Sequence, residues 1–283
     1  MLTLNLVGCG RVGKTLAHLW HARQVVRIQD VLTTSPASAA QATAFIGAGH
    51  AVQTVAQMRP ADLWMVAVPD RQIATCASEI AQTFSGLSPS TAFHCSGALD
   101  SGTLAPLRER GWQVASAHCI LSFASPASAV QQFEGTPCGI EGQAQATALL
   151  QPIFAAIGAR CFALEADEKL LYHAAAVFAT NFLPVLQSVA EDLWQHSGVP
   201  PELLPQLRAS LLRNAVDNLL ALGPAGALTG PAAREDTDLV NRQAQAVADW
   251  NATAGNAYRA LSELASRLAR AAPADLPARP HKP

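Results

Sequence analysis

The chain has 283 residues, half of them hydrophobic and 14% charged, with a formal net charge of −2. That balance excludes a disordered chain, and the lack of any basic run excludes nucleic acid as the expected partner. The length exceeds what one core comfortably fills and points to two domains.

The first part of the chain alternates strand and helix. "LTLNLV" (Leu2–Val7) reads as a buried strand, followed by a glycine loop and a helix from about Arg11 to His21. "QVVRIQDVLTTS" is a second strand with a polar end, and Ser35-Pro36 reads as an N-cap with proline at the first helical position. "DLWMVAVPD" is a strand ending at Pro69, with Asp70 as the expected cap of the next helix. "TAFHCSG", "WQVASAH", "PCGIEG" and "RCFAL" complete the strands. Such alternation implies an α/β fold with a mostly parallel sheet covered on both faces.

Beyond "ALEADEK" (Ala163–Lys169) the strand signal stops. Helical periodicity covers roughly 168–197, 201–222 and 237–271, interrupted by "LGPAGALTGPAARED" with its two Gly-Pro steps. The expected division is a dinucleotide-binding domain over 1–165, an all-helical domain for substrate and dimerisation over 166–272, and a frayed tail over 273–283.

Six cysteines, at 9, 76, 95, 119, 138 and 161, form no C-x-x-C pair and no zinc spacing, so no metal is expected. "MLTLNLVGCG" enters the first strand with neither a basic start nor a cleavage signal, so a cytoplasmic protein with reduced thiols is expected. The apolar run Leu170–Ala190 approaches the length of a membrane span. It carries His173, Asn181, Pro184 and Gln187, so a buried helix of a soluble protein is expected and no membrane.

"GCGRVG" sets glycines at 8, 10 and 13, between a strand and a helix. In that context Gly8 permits the tight turn, Gly10 lets a pyrophosphate reach the backbone and Gly13 lets helix pack on strand. The helix N-terminus offers free N–H groups to phosphate. The loop Gly8, Cys9, Gly10, Arg11, Val12 and Gly13 is therefore the first cofactor candidate. The second strand ends Leu32, Thr33, Thr34, Ser35, without the acidic residue that usually takes an NAD ribose, and Asp30 falls too early. Hydroxyls at Thr33, Thr34 and Ser35, with Arg11 nearby, favour NADP, with NAD as the alternative; Arg11 reads equally as a solvated residue of the first helical turn.

In open parallel sheets ligands lie beyond the carboxyl ends of the strands. Those ends carry "VPD" (Val68, Pro69, Asp70), "HCSGALDSGTL" (His94–Leu104) and "SAHCILSFA" (Ser116–Ala124). With "YHAAAVFATN" (Tyr172–Asn181) and "ALTGPAARED" they resemble a family of Rossmann-like oxidoreductases whose C-terminal helical domain has no assigned function. The family's segments read HxSGA, a histidine-proline at the "SAHC" position, YHAAAxxxxN and ALTGPxARGD, and the resemblance runs in order from residue 4 to about 260. Cys119 stands where proline is usual and Glu235 where glycine is usual. The family is related to 3-hydroxyisobutyrate and 6-phosphogluconate dehydrogenases, ketopantoate reductase and pyrroline-carboxylate reductase. That relation implies NADP-linked hydride transfer, an all-helical second domain and a homodimer.

The dehydrogenase relatives carry K-x-x-x-N on the first long helix of the second domain, the lysine donating a proton and the asparagine orienting substrate. Asn181 matches the asparagine, but Val177 stands at the lysine. His173 lies eight residues before Asn181, about 12 Å along an α-helix and rotated by about 80°. The resemblance makes His118, His173 and Asn181 the catalytic candidates, with either histidine as proton donor. Ser96 and Gly97 are candidates for substrate oxygen, Ser96 also for the nicotinamide end of the cofactor, and Arg234 for a substrate carboxylate, with Thr229 helping to hold its loop in the substrate site. Each also has a structural reading: histidine bonded to backbone, Ser96-Gly97 as a turn, Arg234 paired with Glu235 or Asp236. His94 reads as a strand residue, and Asp236-Thr237 as a helix cap.

The sequence thus leads to an NADP-dependent oxidoreductase acting on a small carbonyl, hydroxy or imine compound that bears a carboxylate. Two alternatives stay open: a non-catalytic NADP sensor, and a deazaflavin-linked reductase in which hydride passes from ring to ring. Both accommodate Val177.

Overall fold

The computed structural model describes residues 1–271. The expected tail, 273–283, lies outside the described residues. The chain forms two compact units, the first Met1–Thr180 and the second beginning at Asn181.

The first unit contains β1 (Thr3–Val7), α1 (Arg11–Ala22), β2 (Arg27–Leu32), α2 (Pro36–Ile46), β3 (His50–Val52), β4 (Leu63–Val66), α3 (Asp70–Thr83), β5 (Thr91–His94) and α4 (Ala105–Arg108). It continues with β6 (Gln113–Cys119), α5 (Pro126–Gln132), β7 (Pro137–Gly142), α6 (Ala144–Ala155), β8 (Arg160–Ala163) and α7 (Lys169–Ala176). The sheet order is β3-β2-β1-β4-β5-β6-β7-β8. Every neighbouring pair is parallel except β6 and β7.

Alternation along the strands explains the two cores, because successive side chains point to opposite faces. Leu4, Leu6, Leu63, Met65 and Phe93 enter one cluster with Trp20 of α1 and Phe154 of α6. Val7, Trp64, Val66 and Ala92 enter the other with Ile73 and Ile80 of α3. The fully buried Trp20 donates its ring N–H to Ile153 O at 3.0 Å, tying α1 to α6.

The helices start where the sequence indicates, with one exception. Ser35 caps α2, accepting from Ser38 N at 3.2 Å, and Pro36 opens the helix. Asp70 is not a cap; it is the first residue of α3, whose N-cap is Pro69, and its carboxylate turns toward β5.

A π-helical turn, Val177–Asn181, follows α7. A π-turn inserts an extra residue into the helical ring, so the α-helical rise and rotation expected between His173 and Asn181 do not apply. The expectation of a buried helix also fails: Leu170, Leu171 and Phe178 are exposed by 70%, 71% and 65%. By length and composition Lys169–His196, of mean hydropathy 1.3, is the one described helix that meets the requirement for a membrane span. Its first turns are nevertheless bonded to the sheet, through Lys169 and Tyr172. Those bonds hold α7 in the first unit, which ends at Thr180.

The second unit is helical: α8 (Phe182–His196), α9 (Leu204–Ala227), α10 (Thr237–Trp250) and α11 (Ala252–Ala271). Gly223, at φ +69° before Pro224, breaks α9 where the first Gly-Pro step stands. The long helix expected over 237–271 is interrupted at Asn251. α10 and α11 cross closely, since a Cβ on Gly255 would lie 2.5 Å from the Cβ of Ala248. Arg208 of α9 pairs with Glu191 of α8 at 2.6 Å.

Candidate active site

The carboxyl ends of β1, β4, β5 and β6 lie side by side, and the loops leaving them form one continuous line of contacts. It begins at the glycine loop. Gly8 has φ +82°, and a Cβ there would lie 2.6 Å from both Ala67 O and Val68 Cγ1. Only glycine fits that turn. Gly13 packs α1 against the turn, its virtual Cβ 3.4 Å from Gly8 O. At Gly10, the N-cap of α1, a Cβ would meet nothing within 4 Å. No side chain caps α1, so its first N–H groups are offered outward. Cys9 is buried, and burial pushes its thiol up to about 12, so it is an uncharged part of the core. Arg11 is exposed and donates to Phe123 O at 3.4 Å.

At the end of β2, Thr33 Oγ1 reaches Ser38 Oγ at 2.5 Å, and Thr34 and Ser35 are exposed. Asp30 is fully buried inside the strand. Its carboxylate accepts from Arg59 N at 2.7 Å and pairs with the Arg59 guanidinium at 2.6 Å, so it is committed within the fold.

Asp70 joins the β4 end to the β5 end, its Oδ2 accepting from Ser96 Oγ at 2.9 Å. The same hydroxyl accepts from Ala98 N at 3.2 Å and Leu99 N at 3.0 Å. One donor and two lone pairs are a hydroxyl's whole capacity. The Ser96 hydroxyl is therefore fully engaged within the turn in this conformation. His94 supports the turn from inside: Nδ1 accepts from Ser96 N at 3.1 Å and Nε2 donates to Asp100 O at 2.9 Å. Burial holds its pKa below the usual histidine value, so it stays neutral.

Gly97 is where the site closes. A Cβ on it would lie 2.5 Å from His173 Nδ1 and 2.8 Å from His118 Nε2, so two ring nitrogens from separate elements converge on one backbone position. The two rings meet edge to face, with centroids 5.6 Å apart. His118 is further held by Tyr172, whose Oη lies 2.9 Å from His118 Nδ1 and 3.3 Å from His118 O. A carbonyl can only accept, so the arrangement satisfying every atom has Tyr172 donating to it and accepting from Nδ1–H. His118 Nε2 then presents a lone pair toward Gly97. Burial first, then the neighbouring His173 and Lys169, pull the His118 pKa down to about 4, with Asp70 opposing. His173 Nδ1 is buried with no hydrogen-bond partner. Orphaned nitrogens of this kind are rare and call for an explanation.

Three comparisons bear on this geometry. Residues 1–118 match the family model of a Rossmann-like domain, and residues 136–265 match that of a domain of unknown function, DUF2520. The two matches follow one another along the chain, each over less than half of its length. Among solved structures it is similar to protein TM1727 from Thermotoga maritima, with 25% identity, TM-score 0.73, and 94% of this chain and 98% of that one covered. BF3122 from Bacteroides fragilis, provisionally described as an NADP oxidoreductase, is 21% identical with TM-score 0.72 over 94% and 98%. An imine reductase from Myxococcus stipitatus, solved in complex with NADP+, shares the fold at 17% identity and TM-score 0.61 over 95% and 93%. No curated protein matches the chain.

The match to DUF2520 begins within the sheet, just before β7, and runs through α7 into the helical unit. Asn181, Thr229 and Arg234 lie in the second unit, each exposed. Arg234 belongs to a turn closed by Asp236 N donating to Pro231 O at 3.0 Å. Glu235, standing where the resemblance expects glycine, has φ +57° and pairs with Arg270 at 3.6 Å. Asp236 caps α10, accepting from Leu239 N at 3.1 Å. Cys119, at the proline position, is buried at the end of β6 with Sγ 3.4 Å from Cys138 Sγ, so His118 stays within a paired strand.

Three participants escaped the sequence reading. Tyr172 stood beside His173 in the same segment and was given no role. Glu141 accepts from Ser101 N at 2.8 Å and Ser101 Oγ at 2.6 Å, fixing the loop after β5. Lys169 donates to Ser96 O and Ser116 Oγ. Its one available signal was its spacing, a single helical turn before His173.

Proposed function

We propose that this chain is an NADP-dependent oxidoreductase that reduces, or in reverse oxidises, a small carbonyl, hydroxy or imine compound bearing a carboxylate. The glycine turn supports a dinucleotide: Gly8 fits nothing larger, and the space over Gly10 is open beside the uncapped start of α1. The end of β2 supports NADP over NAD, because Asp30 is held by Arg59 and only hydroxyls remain there. Bound NADPH supplies a hydride to the substrate carbon; the protein must deliver one proton to the oxygen or nitrogen left behind.

The observation that carries the reading is the convergence of His118 Nε2 and His173 Nδ1 on Gly97. With its pKa near 4, His118 is neutral at physiological pH and acts as acceptor. That leaves His173 as the proton carrier, with its orphaned nitrogen in the site. On the family resemblance alone, Asn181 and Arg234, with Thr229 supporting the loop of Arg234, stay the helical unit's candidates for binding the polar groups of a substrate. The proposal keeps 166–272 as the substrate and dimerisation domain of a cytoplasmic homodimer with no membrane or nucleic-acid partner. The support for a dimer is the apolar surface of the helical unit, where Val185, Leu220 and Leu264 are exposed by 56%, 81% and 52%. Light scattering on the purified protein tests it.

Val177, at the position of the relatives' lysine, favours the second reading, an NADP sensor without turnover. NADPH fluorescence titration followed by stopped-flow oxidation against oxo-acids, imines and deazaflavins separates the two. The expected result is turnover on an oxo-acid or imine, reduced ~100-fold or more in His173→Ala. Binding with no oxidation by any member of the panel establishes the sensor and ends the enzymatic reading.

A further inference from the structure

The first unit buries three charged side chains: Asp30, Glu141 and Lys169. Asp30 has its arginine and Glu141 its serine, but no carboxylate lies within ion-pairing distance of Lys169 among the described residues. The Lys169 ammonium is 1% exposed and has two neutral partners, Ser96 O at 3.1 Å and Ser116 Oγ at 2.7 Å. Burying a cation without a counter-ion costs several kcal/mol. A packing role alone would be filled better by leucine or methionine.

The two partners share a geometry. Ser96 O belongs to the turn that presents Gly97, and Ser116 precedes His118 by two residues on the same face of β6. Lys169 precedes His173 by one helical turn on α7. Two strand residues advance about 6.6 Å, and four helical residues about 6 Å. Lys169 on Ser116 and His173 against His118 are thus successive rungs between α7 and β6, and Tyr172 on His118 locks the same register.

We propose that Lys169 is the positioning residue of this site, its ammonium fixing the height of α7 on β6 and of the Gly97 turn, so that His173 and His118 face each other, with a fixed positive charge behind both. The inference rests on the reading of those histidines as the proton-handling pair. It also accounts for an electrostatic feature. The groups acting on His118 are Asp70 from α3 and Tyr172, His173 and Lys169 from α7, while its partner on the neighbouring β7 is the uncharged Gly139. Asp70 pulls toward the imidazolium; Lys169 and His173 oppose it and keep the ring neutral.

Histidine side-chain NMR titration, without substrate, tests this. In the full-length protein His118 should remain neutral to about pH 4. In Lys169→Met its midpoint should rise by about one pH unit, as expected for loss of a nearby like charge, and the contact shifts between His118 and His173 should change. Lys169→Arg should keep much of the electrostatic effect while disturbing the contact. Ser116→Ala removes one ammonium partner with no change of charge; it should move both signals in the same sense by less, and it serves if Lys169→Met does not fold. Titration curves superimposable on wild type in Ser116→Ala and in whichever lysine variant folds would overturn the proposal. If the histidine signals shift as expected while His118→Ala and His173→Ala leave turnover intact, the positioning role stands and the catalytic reading falls.

Discussion

Gly10→Ala separates the folding role of the glycine loop from its binding role. The Gly10 backbone, at φ −74° and ψ −153°, is open to alanine, and the added Cβ would meet no protein atom within 4 Å. Folding should therefore be unaffected or gain about 0.4–1 kcal/mol through a less flexible unfolded chain, raising Tm by a few degrees at most. The same methyl group sits where a pyrophosphate must approach the backbone at the start of α1. NADPH affinity should fall tenfold or more, about 1.4 kcal/mol. Gly8→Ala gives the opposite pattern. Its left-handed φ of +82° costs roughly 1–2 kcal/mol for a side chain. The clash with Ala67 O adds roughly 1–3 kcal/mol of overpacking. A loss of about 2–5 kcal/mol is a large part of a typical total of about 5–15 kcal/mol. Differential scanning fluorimetry with calorimetric NADPH titration reads both quantities. A Gly10→Ala protein that folds normally and binds NADPH within about twofold of wild type would refute the assignment of the loop to a dinucleotide.

Other outcomes follow from the same geometry. Gly97→Ala should lose about 1–3 kcal/mol of stability, because two ring nitrogens occupy the space of the new methyl group, and turnover should fall further than stability does; urea denaturation beside the NADPH oxidation assay measures the two. Acid should destabilise the protein before its carboxylates titrate. With His118 near 4 in the native state and about 6.5 unfolded, the unfolded chain binds the proton first, so stability is full above pH 6.5 and is lost as pH falls toward 4. That contribution is at most roughly 3 kcal/mol, and His94 adds to it in the same direction; His118→Gln should flatten the urea midpoint between pH 7 and 4.5. Glu235→Gly should stabilise by up to about 1 kcal/mol in thermal unfolding, since it relieves a left-handed residue and forfeits only an exposed ion pair with Arg270.

The architecture was legible because its determinants are local. Period-2 apolar runs, Ser35-Pro36 and the glycines at 8, 10 and 13 each dictate their own backbone, and the parallel sheet follows from strand–helix alternation. β3 escaped, at only three residues, two of them exposed at the edge of the sheet. So did the π-turn, since nothing in "VFATN" distinguishes an i→i+5 bond from an α-helical one. Within the site, "HCSGA" and "SAHC" were recognisable as strand ends, but their pairing was not. Ser96 looked like a ligand contact and is consumed by Asp70, Ala98 and Leu99. Lys169 was only the last residue of "ALEADEK", where the strand signal stops, and is among the most deeply buried side chains of the sheet domain. Both reversals have one cause: the positions depend on residues far apart in sequence, and periodicity carries no information about such meetings.

The missing lysine at Val177 bears on the choice among mechanisms. A sensor needs no proton carrier, and hydride passing between two rings needs none either, so neither function would maintain an orphaned imidazole nitrogen against a second ring held neutral by its surroundings. A carbonyl or imine reduction has a use for such a group, because each hydride leaves one proton to be supplied. His173 lies on the same helix that would have carried the lysine, before the π-turn rather than after its start. Under the proposed function that duty passes from position 177 to position 173, beside the Gly97 turn and the end of β6. Its consequence is specific: the pH profile of turnover should respond to His173→Gln and to Lys169→Met, and be indifferent to Val177→Ala. A profile altered by Val177→Ala alone would return the proton source to the relatives' position and remove the histidines from the chemistry.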